Sequence, residues 1–253
     1  MGSLEYAHAR LSARHGARPD DLAWRRIEPV RELGAMLDTA RATALRPWMT
    51  GIGASTPPHA IEAILRRRWR ELVEEVASWM PDAWQPAIRW CSVAADLPAI
   101  AHLARGGAPL RWMRDDPVLR DLCGGGGDAR DATAPEGPLA ALMADADRVA
   151  HTWHAGLRQR LPAGRDGDPA LLDAIVRAIA AHVAAMREPA LVNGTPLVRA
   201  LEARLTLLFR RATLDPAAAF AFLSLAALDL ARLRGELARR AAFPGLALAG
   251  RAA

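Results

Sequence analysis

The feature that most constrains this fold is a recurrent start signal for helices. Five times along the chain an Asp or Thr is followed directly by proline, at Thr56-Pro57, Asp116-Pro117, Asp168-Pro169, Thr195-Pro196 and Asp215-Pro216. The side-chain oxygen can accept a free backbone N–H in the first helical turn. Proline suits the next position because its φ is already helical and it has no N–H to leave unpaired. The pattern predicts helices that begin near these positions.

The spacing of apolar residues agrees with helices. In three segments apolar residues recur every three or four positions, with charged or small residues on the other side. The three stripes are Ile61, Ile64, Leu65, Leu72, Val73 and Val76; Leu171, Leu172, Ile175, Val176, Ile179, Val183 and Met186; and Leu197, Val198, Leu201, Leu205, Leu208 and Phe209. Strand signals are scarce, since there is one tyrosine and little clustering of β-branched residues. We therefore predict an all-α protein whose helices each bury one face.

One segment, 124–138, interrupts the helical pattern. Its sequence GGGGDARDATAPEGP is dominated by Gly, Pro and small polar residues, which predicts a flexible linker loop. It separates a Trp-rich N-terminal helical region, 1–123, from an Ala/Leu-rich C-terminal region, 139–253, within one integrated helical domain. A phosphate-binding loop is excluded because it needs a lysine, and all 33 basic residues of this chain are arginine.

No constellation of residues demands an active site, a metal or a cofactor. Asp147, His151 and His154 are spaced i, i+4 and i+7, which would place them on one helix face, but no fourth ligand is evident. Cys91 and Cys123 form no CxxC motif, and we expect both to be reduced and buried. We therefore expect a non-catalytic protein with no cofactor and no small-molecule substrate. An enzyme acting through His151 and His154 is the least favoured alternative.

The arginine-rich composition favours binding or assembly. The net charge is +5 with a pI near 10.6, and the run RRRWR, 66–70, keeps open an alternative, an arginine-rich helical nucleic-acid-binding or adaptor protein. We expect, however, that the chain binds no nucleic acid, because the acidic residues beside the run would repel phosphate groups. We expect a solvated face with i,i+4 pairs between Arg67 and Glu71 and between Arg70 and Glu74.

The stretch FAFLSLAALDLARLRGELARR, Phe220–Arg240, could be a membrane segment, a core helix or a binding surface. Its apolar run ends at Asp229, and no window of the chain has the ~18 consecutive apolar residues that a spanning helix needs. The N-terminus also lacks the apolar core of a signal peptide. We predict one long helix, buried in its first half, in which Arg232 or Arg234 neutralises Asp229. The residues expected on its outer face are Arg232, Glu236 and Arg240.

Three motifs in this chain resemble those of the C/d family of central-stalk socket proteins in V-type/A-type rotary ATPases. They are Y-A-H-A-R near the start, D-L-P-A-I-A-H-L-A-R in the first region, and the stretch that contains Asp229. The matching residues are Tyr6 and Arg10, then Asp96, Ile100 and Arg105, then Phe222, Asp229 and Arg234. The chain departs from the family pattern at Ala99 and Ala101, where the family has Asn and Lys, and at Asp229, where Glu is commoner.

The resemblance implies a structural role for these residues in a non-catalytic subunit. Family members form a funnel of similar helical bundles on the cytoplasmic end of the membrane proteolipid ring. Rotary ATPase central-shaft subunits plug into the funnel, which couples ATP hydrolysis or synthesis to proton or sodium transport. The resemblance thus implies a cytoplasmic protein, peripheral on the membrane. It leaves open the ion, the direction of coupling and whether one helical element is missing from this shorter chain.

Overall fold

The structure, a computed structural model, describes residues 3–123, 139–164, 167–188 and 193–242. Within these ranges the backbone forms α-helices and short 3-10 turns and no strand, which confirms the predicted all-α class. The helices of the first region are α1 (Leu4–Gly16), α2 (Asp21–Ile27), α3 (Leu33–Arg41), α4 (Arg46–Met49), α5 (Pro58–Trp79), α6 (Gln85–Trp90), α7 (Leu97–Ala104) and α8 (Arg111–Asp115). Those of the second are α9 (Val149–Gln159), α10 (Pro169–Met186), α11 (Thr195–Arg211) and α12 (Ala217–Ala242). The predicted linker, 124–138, lies outside the described residues.

The start signals precede α-helices at Asp168, Thr195 and Asp215 and near Thr56, but not at Asp116. Asp168 and Asp215 accept backbone N–H groups two residues further on, at 2.8 and 2.7 Å, at the starts of α10 and α12. Thr56 instead accepts the N–H of Gly53 in the preceding turn, at 2.8 Å, and α5 begins two residues later. Thr195 is itself the first residue of α11. At Asp116 the prediction of a helix is wrong: the carboxylate accepts the N–H of Val118 at 2.9 Å, but the chain forms a turn and then only a short 3-10 helix, Arg120–Leu122.

Two long helices, α5 and α12, form the centre of the fold. α12 packs against α1, α3, α5, α10 and α11, and buried residues from both sides of 124–138 join one hydrophobic core. The first half of α12 is buried on all sides from Ala217 to Leu223, as predicted for a core helix. Its second half keeps a buried stripe of Leu230, Leu233 and Leu237. Of the shorter helices of the first region, α1 and α3 pack against α12, and α1 and α6 against α5, while α10 and α11 pack against α12.

Arg240 corrects the prediction for the outer face of α12. Its side chain is almost completely buried, and its guanidinium donates to the carbonyls of Ile27, Glu28 and Val30 at 3.0, 3.1 and 2.7 Å. The last carbonyls of a helix have no partner within the helix. Arg240 therefore caps the end of α2 from a distant helix, which the spacing within α12 could not reveal.

Helix α10 is much less buried than its apolar stripe predicted. Of the residues in that stripe only Leu172 and Ile175 are buried, whereas Val183 and Met186 remain 39% and 42% exposed. Among the described residues, α10 is also long and apolar enough to cross a membrane by length and composition alone. No such segment was expected from the sequence because only uninterrupted apolar residues were counted, and the apolar run of α10 is interrupted by Asp173.

Candidate functional site

The first motif lies on α1 and contacts the last turns of α5. Tyr6 is 52% exposed on the surface. The guanidinium of Arg10 lies over the ring of Trp79, 5.0 Å from its centre, and 3.9 Å from the carboxylate of Glu75. Arg14, one turn further along α1, also pairs with Glu75. Arg10 therefore fixes α1 against α5, and Tyr6 stays accessible for contacts outside the chain.

The second motif begins with a fully buried carboxylate, Asp96, directly before α7. Arg70 of α5 donates to its two oxygens at 2.9 and 3.0 Å, and Nε of Arg66 lies 3.7 Å from Oδ1. The same nitrogen of Arg70 donates to the buried Asp116 at 3.0 and 3.1 Å. Burial raises the pKa of Asp96, and the two arginines oppose that rise. A carboxylate buried this completely is stable in its charged form only when it is paired. The charged form of Asp96 therefore depends on the arginines of α5.

The third motif reaches the same helix through Arg234 of α12. Its Nε lies 2.9 Å from one oxygen of Glu62, and the other oxygen of Glu62 lies 3.2 Å from Nε of Arg66. Arg66 is 5% exposed and its guanidinium stacks over the ring of Trp112 at 4.0 Å. Burial lowers the pKa of Arg66, while Glu62 and Asp96 act against that change. Ion pairs thus run continuously from Asp96 to Arg234.

All three motifs therefore contact α5, the second and third on one side of it and the first on the other. We name the four α5 side chains that receive them the α5 junction: Glu62, Arg66, Arg70 and Glu75. Glu75 receives the first motif, Arg66 and Arg70 the second, and Glu62 the third. The junction holds two acids and two bases, so its own charges cancel. It joins α1, the start of α7, and α12, which are far apart in sequence.

The junction corrects the interpretation of the RRRWR run as a solvated face. Arg66 and Arg70 point into the structure, and the predicted pair of Arg70 with Glu74 is absent because Arg70 binds Asp96. Glu74 instead accepts from Arg89 of α6 at 2.9 Å. The predicted partner of Arg67, Glu71, accepts from Arg68 at 2.6 Å. The tryptophan within the run is buried, and this was the signal that the run faces the core.

A second buried pair holds Asp229 of the third motif. The predicted partners, Arg232 and Arg234, are wrong: Nε and Nη2 of Arg18 donate to the two carboxylate oxygens at 2.8 and 3.0 Å. Nη2 of Arg18 also donates to Glu202 of α11 at 3.1 Å. Burial raises the pKa of Asp229 to about 6, and the hydrogen bonds from Arg18 act in the opposite direction. Arg18 therefore ties the segment after α1 to both α11 and α12.

The remaining motif residues do not gather at a site. Ile100 of α7 is fully buried and Phe222 of α12 nearly so, and both belong to the core. Arg105, just after α7, is exposed and lies 3.6 Å from the carboxylate of Asp147. Of the eight motif residues, the charged ones at positions 10, 96 and 234 meet on α5, and those at 100 and 222 have packing roles.

The three residues with metal-ligand spacing, Asp147, His151 and His154, do not form a cluster. His151 and His154 lie on α9, but Asp147 precedes the first residue of that helix and pairs with Arg105. In the described parts of the chain no group of three or more His, Cys, Asp or Glu side chains could hold a metal ion. Cys91 is buried, which raises the pKa of its thiol to about 12.

The two regions of the chain also meet at a pair of tryptophans. The indole N–H of Trp90 donates to the carbonyl of Trp153 at 2.8 Å, and the indole of Trp153 returns a bond to the carbonyl of Trp90 at 3.3 Å. Arg160 stacks over the Trp90 ring at 3.9 Å. Gly156 sits so close to this ring that a Cβ there would lie 2.9 Å from it. This contact fixes α9 against α6.

Cys123, expected to be buried, is half-buried, and both cysteines are free thiols.

Comparisons of this chain with protein-family models, with curated proteins and with solved structures found no match. The resemblance to the rotary ATPase family thus rests on the motif residues alone.

Proposed function

We propose that this chain is a non-catalytic coupling subunit of a V/A-type rotary ATPase, which joins the central shaft to the membrane proteolipid ring. The observation that carries the proposal is the α5 junction. Three motifs that resemble one family, found near positions 6, 96 and 229, supply charged residues that meet on a single helix. Motifs that arose by chance along an alanine- and arginine-rich chain have no reason to converge in this way.

The physical character of the junction suits a part that transmits force. α5 has 22 residues and α12 has 26, so these helices are roughly 33 and 39 Å long. Buried ion pairs are directional, and breaking one leaves an unpaired charge in a medium of low polarity, at a cost of about 3–5 kcal/mol. Such pairs resist sliding between helices more strongly than apolar contacts do. A protein between a rotating shaft and a ring needs this resistance.

The same contacts weigh against the nucleic-acid alternative. Two of the four arginines in the RRRWR run are paired with carboxylates: Arg70 binds the buried Asp96 and Asp116, and Arg66 lies beside Asp96 and the partly exposed Glu62. A phosphate backbone would have to compete with these ions for the same guanidinium groups. Binding to nucleic acid would show a steep fall in affinity with salt, and we expect no such binding at all.

Purification from native membranes tests the proposal. The tagged full-length chain, extracted in mild detergent, should bring down both a shaft protein and a proteolipid of a rotary ATPase. Washing the membranes with alkaline carbonate should release the chain, because it is proposed to be peripheral on the cytoplasmic face. Recovery without any other ATPase component, or retention after the wash, would contradict the proposal.

A coupling assay tests the role itself. In inverted vesicles from cells that lack the chain, ATP hydrolysis by the detached catalytic head should continue, but ATP-driven ion transport should be lost. Adding back the wild-type chain should restore transport. A variant of the exposed surface pair at Asp38 and Arg41 serves as a control, because this pair lies on α3, away from the junction. Transport that persists without the chain would refute a coupling function.

A further inference from the structure

Helix α10 carries an apolar surface that the described parts of the chain leave uncovered. Its stripe enters the core at Leu172 and Ile175 and emerges into solvent at Val183 and Met186. A helix of this composition is normally covered on its apolar side, and an exposed apolar patch of this kind marks an interaction surface. The surface lies on the α10–α11 side of the fold, apart from the α5 junction.

A separate groove lies between α10 and α11, on the opposite side of α10 from Val183. Four alanines of α10 recur at i, i+4, i+7 and i+11 and form one wall, and residues of α11 at i, i+3 and i+4 form the other. The alanines are Ala174, Ala178, Ala181 and Ala185, and the α11 residues are Leu197, Ala200 and Leu201. The groove has a volume of about 420 Å³. Small side chains on its walls let another backbone approach closely.

The rim of the groove is positively charged. Arg177 and Arg204 line it, together with His182, and none of the described residues that line it is acidic. Neither arginine forms an ion pair with a carboxylate of the described residues, in contrast to the arginines of the α5 junction. The groove therefore combines an apolar floor with unneutralised cations at its edge. Its complement is an apolar stripe flanked by acids.

We propose that the α10–α11 groove binds an amphipathic α-helix of a partner protein, whose apolar stripe is flanked by Asp and Glu residues. A helix meets the shape requirement because its apolar side chains, spaced i, i+3, i+4 and i+7, fit a long groove between two parallel walls. It meets the charge requirement because its acids reach Arg177 and Arg204. The proposal goes beyond the coupling role and holds independently of it.

A pair of designed peptides tests the proposal directly. The first is a fluorescein-labelled helix of Leu, Ala and Glu, with leucines on one face and glutamates beside them. The second has the same composition in scrambled order, without an apolar face. The helical peptide should bind the full-length chain at least tenfold tighter than the scrambled one. Equal affinities would show attraction to net charge alone and would overturn the proposal.

Two neighbouring alanines of α10 provide matched variants. Ala180 and Ala181 are both exposed, but only Ala181 lines the groove. Ala181→Glu should weaken binding of the helical peptide at least tenfold, and Ala180→Glu should change it less than twofold. Equal effects of the two variants would overturn the proposal. Circular dichroism checks that both variants fold, and the equal helix propensity cost at the two sites makes them comparable.

Two other occupants would give different results with the same variants. If phosphatidylglycerol vesicles bind the chain and Ala181→Glu abolishes this while peptide binding is unchanged, the surface belongs to a bilayer and the proposal fails. If sedimentation shows a dimer that Ala181→Glu dissociates and Ala180→Glu does not, the occupant is a second copy and the proposal also fails. Loss of peptide binding alone, with the chain monomeric and no vesicle binding, supports the partner helix.

Discussion

Asp96 offers the sharpest test of the α5 junction. Asp96→Asn keeps the shape of the side chain and removes its charge at a position with no exposure to solvent. The change leaves Arg70 with one carboxylate, Asp116, and leaves Arg66 with Glu62 alone. If the junction holds the fold together, this single change should lower the free energy of unfolding substantially.

The magnitude follows from the contacts. Removing one member of a buried ion pair costs about 3–5 kcal/mol, because the other charge remains buried. Two features reduce that cost here. Asp116 still accepts from Arg70, and the raised pKa of Asp96 shows that its own charge is unfavourably buried. We therefore expect a loss of about 2–3 kcal/mol. In a chain of 253 residues this lowers Tm by about 5–10 °C.

Urea unfolding at pH 7 measures the loss, with Asp38→Asn as the matched control. Asp38 pairs with Arg41 on α3, but its side chain is 78% exposed, so its loss should cost less than about 0.5 kcal/mol. A double-mutant cycle with Arg70→Met should show a coupling energy of about 1–2 kcal/mol. If Asp96→Asn costs no more than Asp38→Asn, or if the cycle shows no coupling, the junction does not stabilise the fold.

Three other buried groups give further tests. Burial raises the pKa of Asp229 from 3.8 to about 6, so protonation of Asp229 stabilises the fold at low pH, and this stability is lost as the pH rises through about 6. Between pH 3.8 and 7, urea unfolding should show the wild type losing about 3 kcal/mol of stability relative to Asp229→Asn. Parallel pH profiles of the two proteins would contradict this prediction. Arg240→Met removes the guanidinium donor from three carbonyls, of which that of Ile27 keeps the N–H of Val30 at 3.1 Å, and should cost about 1–3 kcal/mol. Arg239→Met, at an exposed position, should cost under about 0.5 kcal/mol; equal melting temperatures would refute the capping role. Gly156→Ala should destabilise the protein by about 1–3 kcal/mol because the added Cβ meets a tryptophan ring. Gly235→Ala, at an exposed position of α12 with open space around it, should stabilise the protein by up to about 1 kcal/mol. The reverse order of melting temperatures would show that the tryptophan ring moves aside freely.

Helices were predictable here because their signals are local. Asp168 and Asp215 act on backbone groups two residues away, so the sequence around each is sufficient to locate the start of α10 and α12. The same holds for the end of α5 before Pro81. The burial of the first half of α12 was equally accessible, because a segment that is apolar on all sides can only lie among other helices or in lipid.

The partners of the buried ions were not predictable, because they depend on tertiary contacts. Asp229 lies 211 positions from Arg18 in the sequence, so no spacing rule links them. The prediction took Arg232 or Arg234, nearby on the same helix, and in the structure Arg232 pairs with Glu28 of the loop after α2. Local pairs are worth only a few tenths of a kcal/mol, so a buried carboxylate that needs a counterion easily outweighs them. For buried charges, local spacing rules therefore favour a neighbour in the sequence over the tertiary partner that binds the charge.

How much of α10 is covered by neighbouring helices could not be predicted from the sequence either. The stripe of α10 has the same spacing at Leu172, which is buried, and at Met186, which is exposed. What differs is the neighbour: α10 packs against α11 and α12, and the cover over Leu172 does not extend to Met186. Periodicity predicts which side of a helix is apolar, and the arrangement of other helices decides how much of it is buried.

The absence of lysine explains how this chain builds its buried contacts. A guanidinium presents five donors in a rigid fork, whereas an ammonium acts as a compact point charge. One arginine can therefore join two carboxylates, as Arg70 does, or three carbonyls, as Arg240 does. The composition supplies 33 such side chains. The junction neutralises its own arginines, whereas Arg177 and Arg204 beside the α10–α11 groove form no ion pair with a described carboxylate and are available to a partner.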